Sequence, residues 1–106
     1  MKADEIEQVV LEKNPIAPRV TKEHIESVVA DETYTVLPSG KVMVCELILR
    51  NGFSVRGEAS AVSKENFNLE IGRQISRDRA LQQVWLCEGY LLQEQLYQQK
   101  LVDEKE

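Results

Sequence analysis

Apolar residues recur along this chain with two different periods, and the change from one to the other divides it. From Asp4 to Lys13, Ile6, Val9 and Val10 stand at i, i+3 and i+4 behind a capping Asp4, a pattern that predicts a short amphipathic helix. At about three turns it needs something to pack on. Asn14-Pro15-Ile16-Ala17-Pro18 follows, and its two prolines forbid helix and favour extended chain. Helical period then resumes. Thr21 is a good N-cap, Glu23 sits favourably in the first turn, and Ile25, Val28 and Val29 share one face, so a second short helix is expected to end near Asp31.

In the middle of the chain the period becomes two. Thr33–Leu37, Lys41–Leu49 and Phe53–Ala61 are rich in β-branched and apolar residues and are separated by turn signals, which predicts three strands. The second loop can be decided by argument. A two-residue Asn51-Gly52 turn would put Phe53 and Val55 on one face with Arg50, Ile48 and Glu46. A three-residue loop, Arg50-Asn51-Gly52, with Gly52 in the left-handed bulge position, sets Leu49 opposite Phe53, Leu47 opposite Val55, Cys45 opposite Gly57 and Met43 opposite Ala59. One face is then wholly apolar, with Ser54, Arg56 and Glu58 turned away, so the three-residue loop is preferred. Leu37-Pro38-Ser39-Gly40-Lys41 follows the same grammar, with Pro38 at the first turn position and Gly40 at the bulge. The reverse face of this meander then carries Tyr34, Val36, Val42, Val44 and Ile48. A sheet apolar on both sides needs two covers. One is the long helix described next; the other is the first helix, the N-terminal arm or a second subunit.

Asn68 is a cap for everything beyond it. From Leu69 to about Lys100 there is no proline, and Gly72 and Gly89 are the only breakers. Gly72, Ser76 and Ala80 recur every four residues, a small-residue stripe that lets the helix approach the sheet or another helix closely. Leu81, Val84, Trp85, Cys87, Leu91, Leu92 and Leu96 cover about half the helix circumference, more than one thin sheet requires. The expected fold is α+β: a three-stranded antiparallel meander packed against one long C-terminal helix, with a short N-terminal helix. Residues 1–17 form an arm that is either flexible or partner-bound, 18–102 a single α+β domain, and 103–106 a frayed acidic tail.

Composition narrows the function. The chain has 106 residues, 42% hydrophobic and 29% charged, which suits one globular domain. Its formal charge of -5 argues against direct nucleic-acid binding, whose affinity comes from Lys and Arg. No apolar run is long enough to span a bilayer, and Met1-Lys2-Ala3-Asp4-Glu5 leads into no apolar signal core, so neither membrane nor export is expected. Cys45 and Cys87 fit no metal-ligand spacing and read as two reduced, buried thiols of a cytoplasmic protein.

Candidate chemistry is sparse. His24, the only histidine, has no Ser or Cys placed beside it to suggest a triad, and it reads as a surface or boundary residue. The five glycines are isolated and make no phosphate loop. Arg73, Arg77 and Arg79, interleaved with Asp78 and near Glu70, read as a solvated helix face. Glu88 stands out because it lies within the apolar arc of the long helix. An unpaired carboxylate there is costly, so it is either a polar contact at a partner interface, an internal ion pair with Arg56 or another arginine, or on a wet face. No catalytic residue, metal ligand or cofactor site is assigned. The interface candidates are Glu88, Trp85, Leu92 and Leu96 on the helix and Tyr34, Val36 and Val44 on the sheet.

Several short segments carry a resemblance in their order and spacing. They are Pro18-Arg19-Val20-Thr21, Cys45-Glu46-Leu47, Asn51-Gly52-Phe53 with Gly57, Asn66-Phe67-Asn68 with Ile71-Gly72, and Trp85 with Glu88-Gly89-Tyr90-Leu91-Leu92. Together, over roughly Pro18 to Tyr97, the chain resembles a family of small tailed-bacteriophage proteins named after gene forty-nine of phage N-four and gene sixty-six of phage Sf-six. Asn68 stands where the family usually has Asp; both cap helices. The resemblance implies a viral origin and life in the host cytoplasm, and it brings no established activity and no site residues.

Three readings follow. The leading one is a non-enzymatic phage accessory protein that binds a host or phage protein and self-associates, because its apolar surface exceeds what its own elements cover. The alternative is an acidic decoy that occupies a host nucleic-acid-binding protein, which requires carboxylates arrayed along one exposed face. The least favoured is a small enzyme, which requires a concave pocket gathering Glu88, His24 or Arg56.

Overall fold

The structure, a computed structural model, describes residues 18–105, so the expected Asp4–Lys13 helix and the 1–17 arm lie outside the described residues. Helix α1 spans Lys22–Val28 and starts as the sequence predicts: the Thr21 side chain accepts a hydrogen bond from the His24 backbone N–H at 3.1 Å. It ends earlier than expected, at Val28 rather than near Asp31. The eight residues from Val29 are β-branched or aromatic at five positions and favour extended chain, so the helix passes into a strand without a loop. The Arg50 N–H donates to the Val28 carbonyl at 2.9 Å and ties that junction to the far hairpin turn.

Strand β1 is therefore Val29–Val36, beginning well before Thr33; β2 is Val42–Leu49 and β3 is Ser54–Ser60. They form one antiparallel sheet in the order β1-β2-β3. The β2–β3 loop is the three-residue turn expected from the sequence. Met43 pairs with Ala59, Cys45 with Gly57 and Leu47 with Val55, the Leu49 N–H donates to the Phe53 carbonyl, and Gly52 has φ +92°.

The first loop differs, and the difference changes a face of the sheet. Gly40 has the positive φ assigned to it, but Leu37 pairs across to Val42, so the loop is Pro38–Lys41 and one residue longer than its sequence grammar suggests. Side chains alternate along a strand, so one extra loop residue moves every β1 side chain to the other face. Tyr34 pairs with Cys45 and Val36 with Met43. Both lie on the helix-packed face, not the reverse one where the sequence reading put them. The reverse face instead sets Val42, Val44, Glu46 and Ile48 of the central strand between Thr33 and Thr35 on one side and Ser54, Arg56, Glu58 and Ser60 on the other. It is half-buried along its middle and polar at both edges. A bulge at Ala30 shifts the register again between Val29 and Asp31.

A 3₁₀ turn, Lys64–Asn66, leads to the long helix α2, Leu69–Lys105. The Asn68 side chain accepts from the Ile71 N–H at 3.1 Å, the cap anticipated. Helix continues to Lys105, past Lys100 and through Asp103 and Glu104. Its buried residues are Gly72, Ser76, Ala80 and Val84, the small-residue stripe extended by one turn. Of these, Ala80 and Val84 meet Ile25, Val28, Cys45, Leu47, Leu49 and Val55 in one core.

The two layers approach closely at Gly57 on β3. A Cβ added there would lie 2.2 Å from the Ala80 backbone N and 2.4 Å from the Ser76 carbonyl oxygen. Backbone, unlike a flexible side chain, cannot move aside locally, so the whole helix would have to lift. Gly57→Ala is expected to destabilise the fold by about 3 kcal/mol, the upper end for overpacking a core, read as a lowered urea midpoint at unchanged slope.

Candidate functional site

Two chain segments 64 positions apart meet where α1 crosses α2. His24 Nε2 lies 2.6 Å from Glu88 Oε1, with the Glu88 side chain only 12% exposed. An ionised carboxylate can only accept, so the imidazole nitrogen carries the proton and donates. This is the partner the Glu88 position demanded, and it is His24 rather than Arg56. Arg56 pairs in register with Glu46 on the reverse face of the sheet.

The pair forms one wall of an open cleft of about 210 Å³. Arg19 and Val20 of the segment before α1, Arg50 of the β2–β3 turn, and Leu91, Leu92 and Gln95 of α2 complete it. Sequence reasoning missed Arg19 and Arg50, which nothing in the linear pattern connects to Glu88. The cleft has groups to hold an anion and an imidazole oriented by a carboxylate. Its lining residues include no Ser, Thr or Cys, so it offers no hydroxyl or thiol nucleophile. Among the described residues, no group of three or more His, Cys, Asp or Glu could hold a metal ion.

The three arginines at the head of α2 are not simply a solvated face; each grips another element. Arg77 donates from its outer nitrogens to both Glu26 carboxylate oxygens, at 2.9 and 3.4 Å, and from Nε to Glu32 at 3.2 Å, so one guanidinium joins α1, β1 and α2. Arg79 donates to the Glu58 carbonyl of β3 at 2.8 Å. Arg73 lies over the Tyr34 ring, 5.8 Å from its centre. Tyr34 donates in turn to Glu32, and burial together with that bond pushes its ionisation well above the ordinary tyrosine range. The hydrogen bond from Arg77 holds the Glu26 carboxyl below its usual range. Cys45 and Cys87 are both free thiols, and burial pushes Cys45 up.

The structure distributes the interface candidates over three places. Tyr34 packs against the core beneath α2, with Val36 further along the same strand face, and Val44 is alone among them on the reverse face of the sheet. Glu88, Trp85, Leu92 and Leu96 lie on α2 beyond or beside its last buried residue, Val84. From there the helix leaves the sheet behind. A helix of 37 residues is about 55 Å long, roughly twice the span of an eight-residue strand. Its outer half presents Leu91, Leu96, Tyr97 and Val102 to solvent, with Leu86 and Tyr90 about 70% exposed.

A family model described as the Phage protein (N4 Gp49/phage Sf6 gene 66) family matches residues 20–96. The chain belongs to this family. The matched stretch takes in α1, all three strands and α2 as far as Leu96, so the sheet, the His24–Glu88 contact and the first part of the overhanging helix all fall within the phage family's common region. No curated protein and no solved structure matches the chain. Among the described residues, no helix is long and apolar enough to cross a membrane.

Two outcomes follow from the ion pairs. The folded carboxyl of Glu26 ionises below the ordinary value of 4.5, so its contribution is complete above that pH and is lost as pH falls through the lowered value. Glu26→Gln is therefore expected to reduce stability at pH 7 by under about 1 kcal/mol, since its side chain is 43% exposed and screened by water. The difference from the parent protein should vanish in acid, as followed by urea melts across pH 3 to 7. His24→Ala leaves the Glu88 carboxylate without its partner and is expected to cost about 1–2 kcal/mol, read the same way at neutral pH.

Proposed function

We propose that this phage protein acts by binding protein rather than by catalysis, within the host cytoplasm, and that it does so as a homo-oligomer. One observation carries the reading: the outer half of α2, past Val84, holds exposed leucine, tyrosine and valine side chains on a helix with no sheet beneath it. A helical overhang of this kind is marginal in water when nothing packs on its apolar positions. The narrowing of the sheet's reverse face to a central stripe moves the weight of the argument from the sheet to α2. The occupant to which the reading commits is a second copy of this chain, with a host or phage protein as the further partner. The acidic-decoy reading draws no support, because Glu94, Asp103 and Glu104 are interspersed with Lys100 and Lys105 and Glu104 lies 3.9 Å from Lys100.

The cleft favours one other reading, a site where the Glu88-oriented imidazole acts as a base on an anion held by arginine. It ranks second for want of a hydroxyl or thiol nucleophile in the lining. The two readings separate in one pair of variants. Sedimentation velocity at micromolar concentration is expected to show a dimer or higher oligomer for the full chain. Leu96→Glu should weaken self-association at least about tenfold, or 1.4 kcal/mol, with unchanged helical circular dichroism, whereas His24→Ala should leave it intact. A parent protein that sediments as a monomer throughout this range contradicts the oligomer.

A further inference from the structure

The cleft beside the His24–Glu88 pair gathers three kinds of group around one space. Arg19 and Arg50 bring positive charge, Glu88 and Gln95 bring hydrogen-bond acceptors, and Leu91 and Leu92 bring aliphatic surface. Two of the polar groups are uncommitted. The Arg50 backbone N–H is tied to the Val28 carbonyl, but among the described residues its guanidinium meets no carboxylate. Glu88 accepts from His24 at Oε1, and among the described residues its Oε2 accepts no hydrogen bond. Leu91 is 47% exposed on the cleft wall. Size narrows what could enter. At about 210 Å³ the cleft lies below the roughly 300 Å³ at which pockets for drug-sized ligands begin. About seven waters would fill it at liquid density, so it has room for one amino-acid residue and not for a nucleotide.

We propose that this cleft receives the C-terminal residue of a partner protein whose chain ends in an aliphatic residue such as leucine or valine. The terminal carboxylate sits on Arg50, where a guanidinium can hold it through two parallel N–H donors, and Arg19 adds positive charge. The backbone N–H of the terminal residue donates to Glu88 Oε2, and its side chain lies against Leu91 and Leu92. The inference rests on the reading that the protein works by binding protein, and it names the chemistry that the further partner presents. It does not depend on self-association.

Other occupants fit less of the lining. A chain terminus carries its carboxylate and its side chain on one Cα, so both reach the cleft within a single residue. An internal acidic segment cannot do this, because successive side chains of an extended chain point to opposite faces. Aspartate beside leucine would present only one of the two. A phosphate dianion has no aliphatic part and meets Glu88 as a like charge. Charge also favours a single negative group: the lining holds two guanidiniums against one carboxylate, in a chain whose formal charge is -5.

A titration of the full chain with N-acetyl-leucine, followed by amide nuclear magnetic resonance, tests this directly. Binding is expected with a Kd of about 1 mM, with shifts centred on the amides of Arg50, Leu91 and Leu92. N-acetyl-leucinamide, which lacks the carboxylate, and inorganic phosphate, which lacks the aliphatic group, should each bind at least about tenfold more weakly. Arg50→Gln keeps the backbone bond to Val28 and should weaken N-acetyl-leucine by a similar factor while leaving the rest of the spectrum in place. No shift at the cleft up to about 20 mM ligand, or equal binding of the leucinamide or of phosphate, overturns the proposal. So does full affinity in the Arg50→Gln variant. An acetylated aspartyl-leucinamide that binds as tightly assigns the cleft to internal acidic segments and overturns the terminal assignment. A failed titration beside an oligomer in sedimentation removes this site alone and leaves the protein-binding reading standing.

Discussion

The backbone of α2 lies directly on Gly57, and the rest of the molecule is arranged around that contact. Because no side chain separates the strand from the helix there, the helix turn from Ser76 to Ala80 sits close enough for Val84 and Ala80 to enter the same core as Leu47 and Val55. Close approach fixes the height of the helix but not its direction. The arginines do that. Arg79 reaches β3, Arg77 reaches α1 and β1, and Arg73 covers Tyr34, so the helix is held on both sides of the Gly57 contact. The helix buries no residue past Val84, and its remaining length extends beyond the sheet.

Much of this arrangement was legible in the chain, and the parts that were not have identifiable causes. The β2–β3 register could be derived because only one loop length gives an apolar face to both strands. Thr33, Tyr34, Thr35 and Val36 allow no such decision. Threonine, tyrosine and valine all suit half-buried positions, so either face is acceptable, and Lys41 is as much at home in a loop as at a strand end. The sequence grammar therefore gives no sign of the four-residue loop, and it assigns Tyr34 and Val36 to the face opposite the one they occupy. The end of α1 was missed for a similar reason: Val28 and Val29 satisfy a helical face and a strand equally.

The candidate site shows the same division. Glu88 could be singled out because a carboxylate within an apolar arc demands a partner, a requirement of chemistry rather than of fold. Which partner it takes depends on where α1 crosses α2, and no local pattern holds that information. Arg77 lay within a group of alternating charges that looks solvated in sequence. Only the folded positions of Glu26 and Glu32 make it a clasp. The α2 overhang, by contrast, was foreshadowed by an apolar arc too wide for one sheet, and the structure relocates that excess to the part of the helix with no sheet beneath it.

The account stands on whether the outer half of α2 is covered by a second copy of the chain in solution. Amide hydrogen exchange resolved along the helix addresses this directly. If two copies cover one another there, the amides of residues 89–99 exchange slowly and slow further as protein concentration rises, in parallel with the loss of free monomer. Exchange in that segment at the rate of an unsupported helix, independent of concentration while residues 72–84 remain protected, would contradict it.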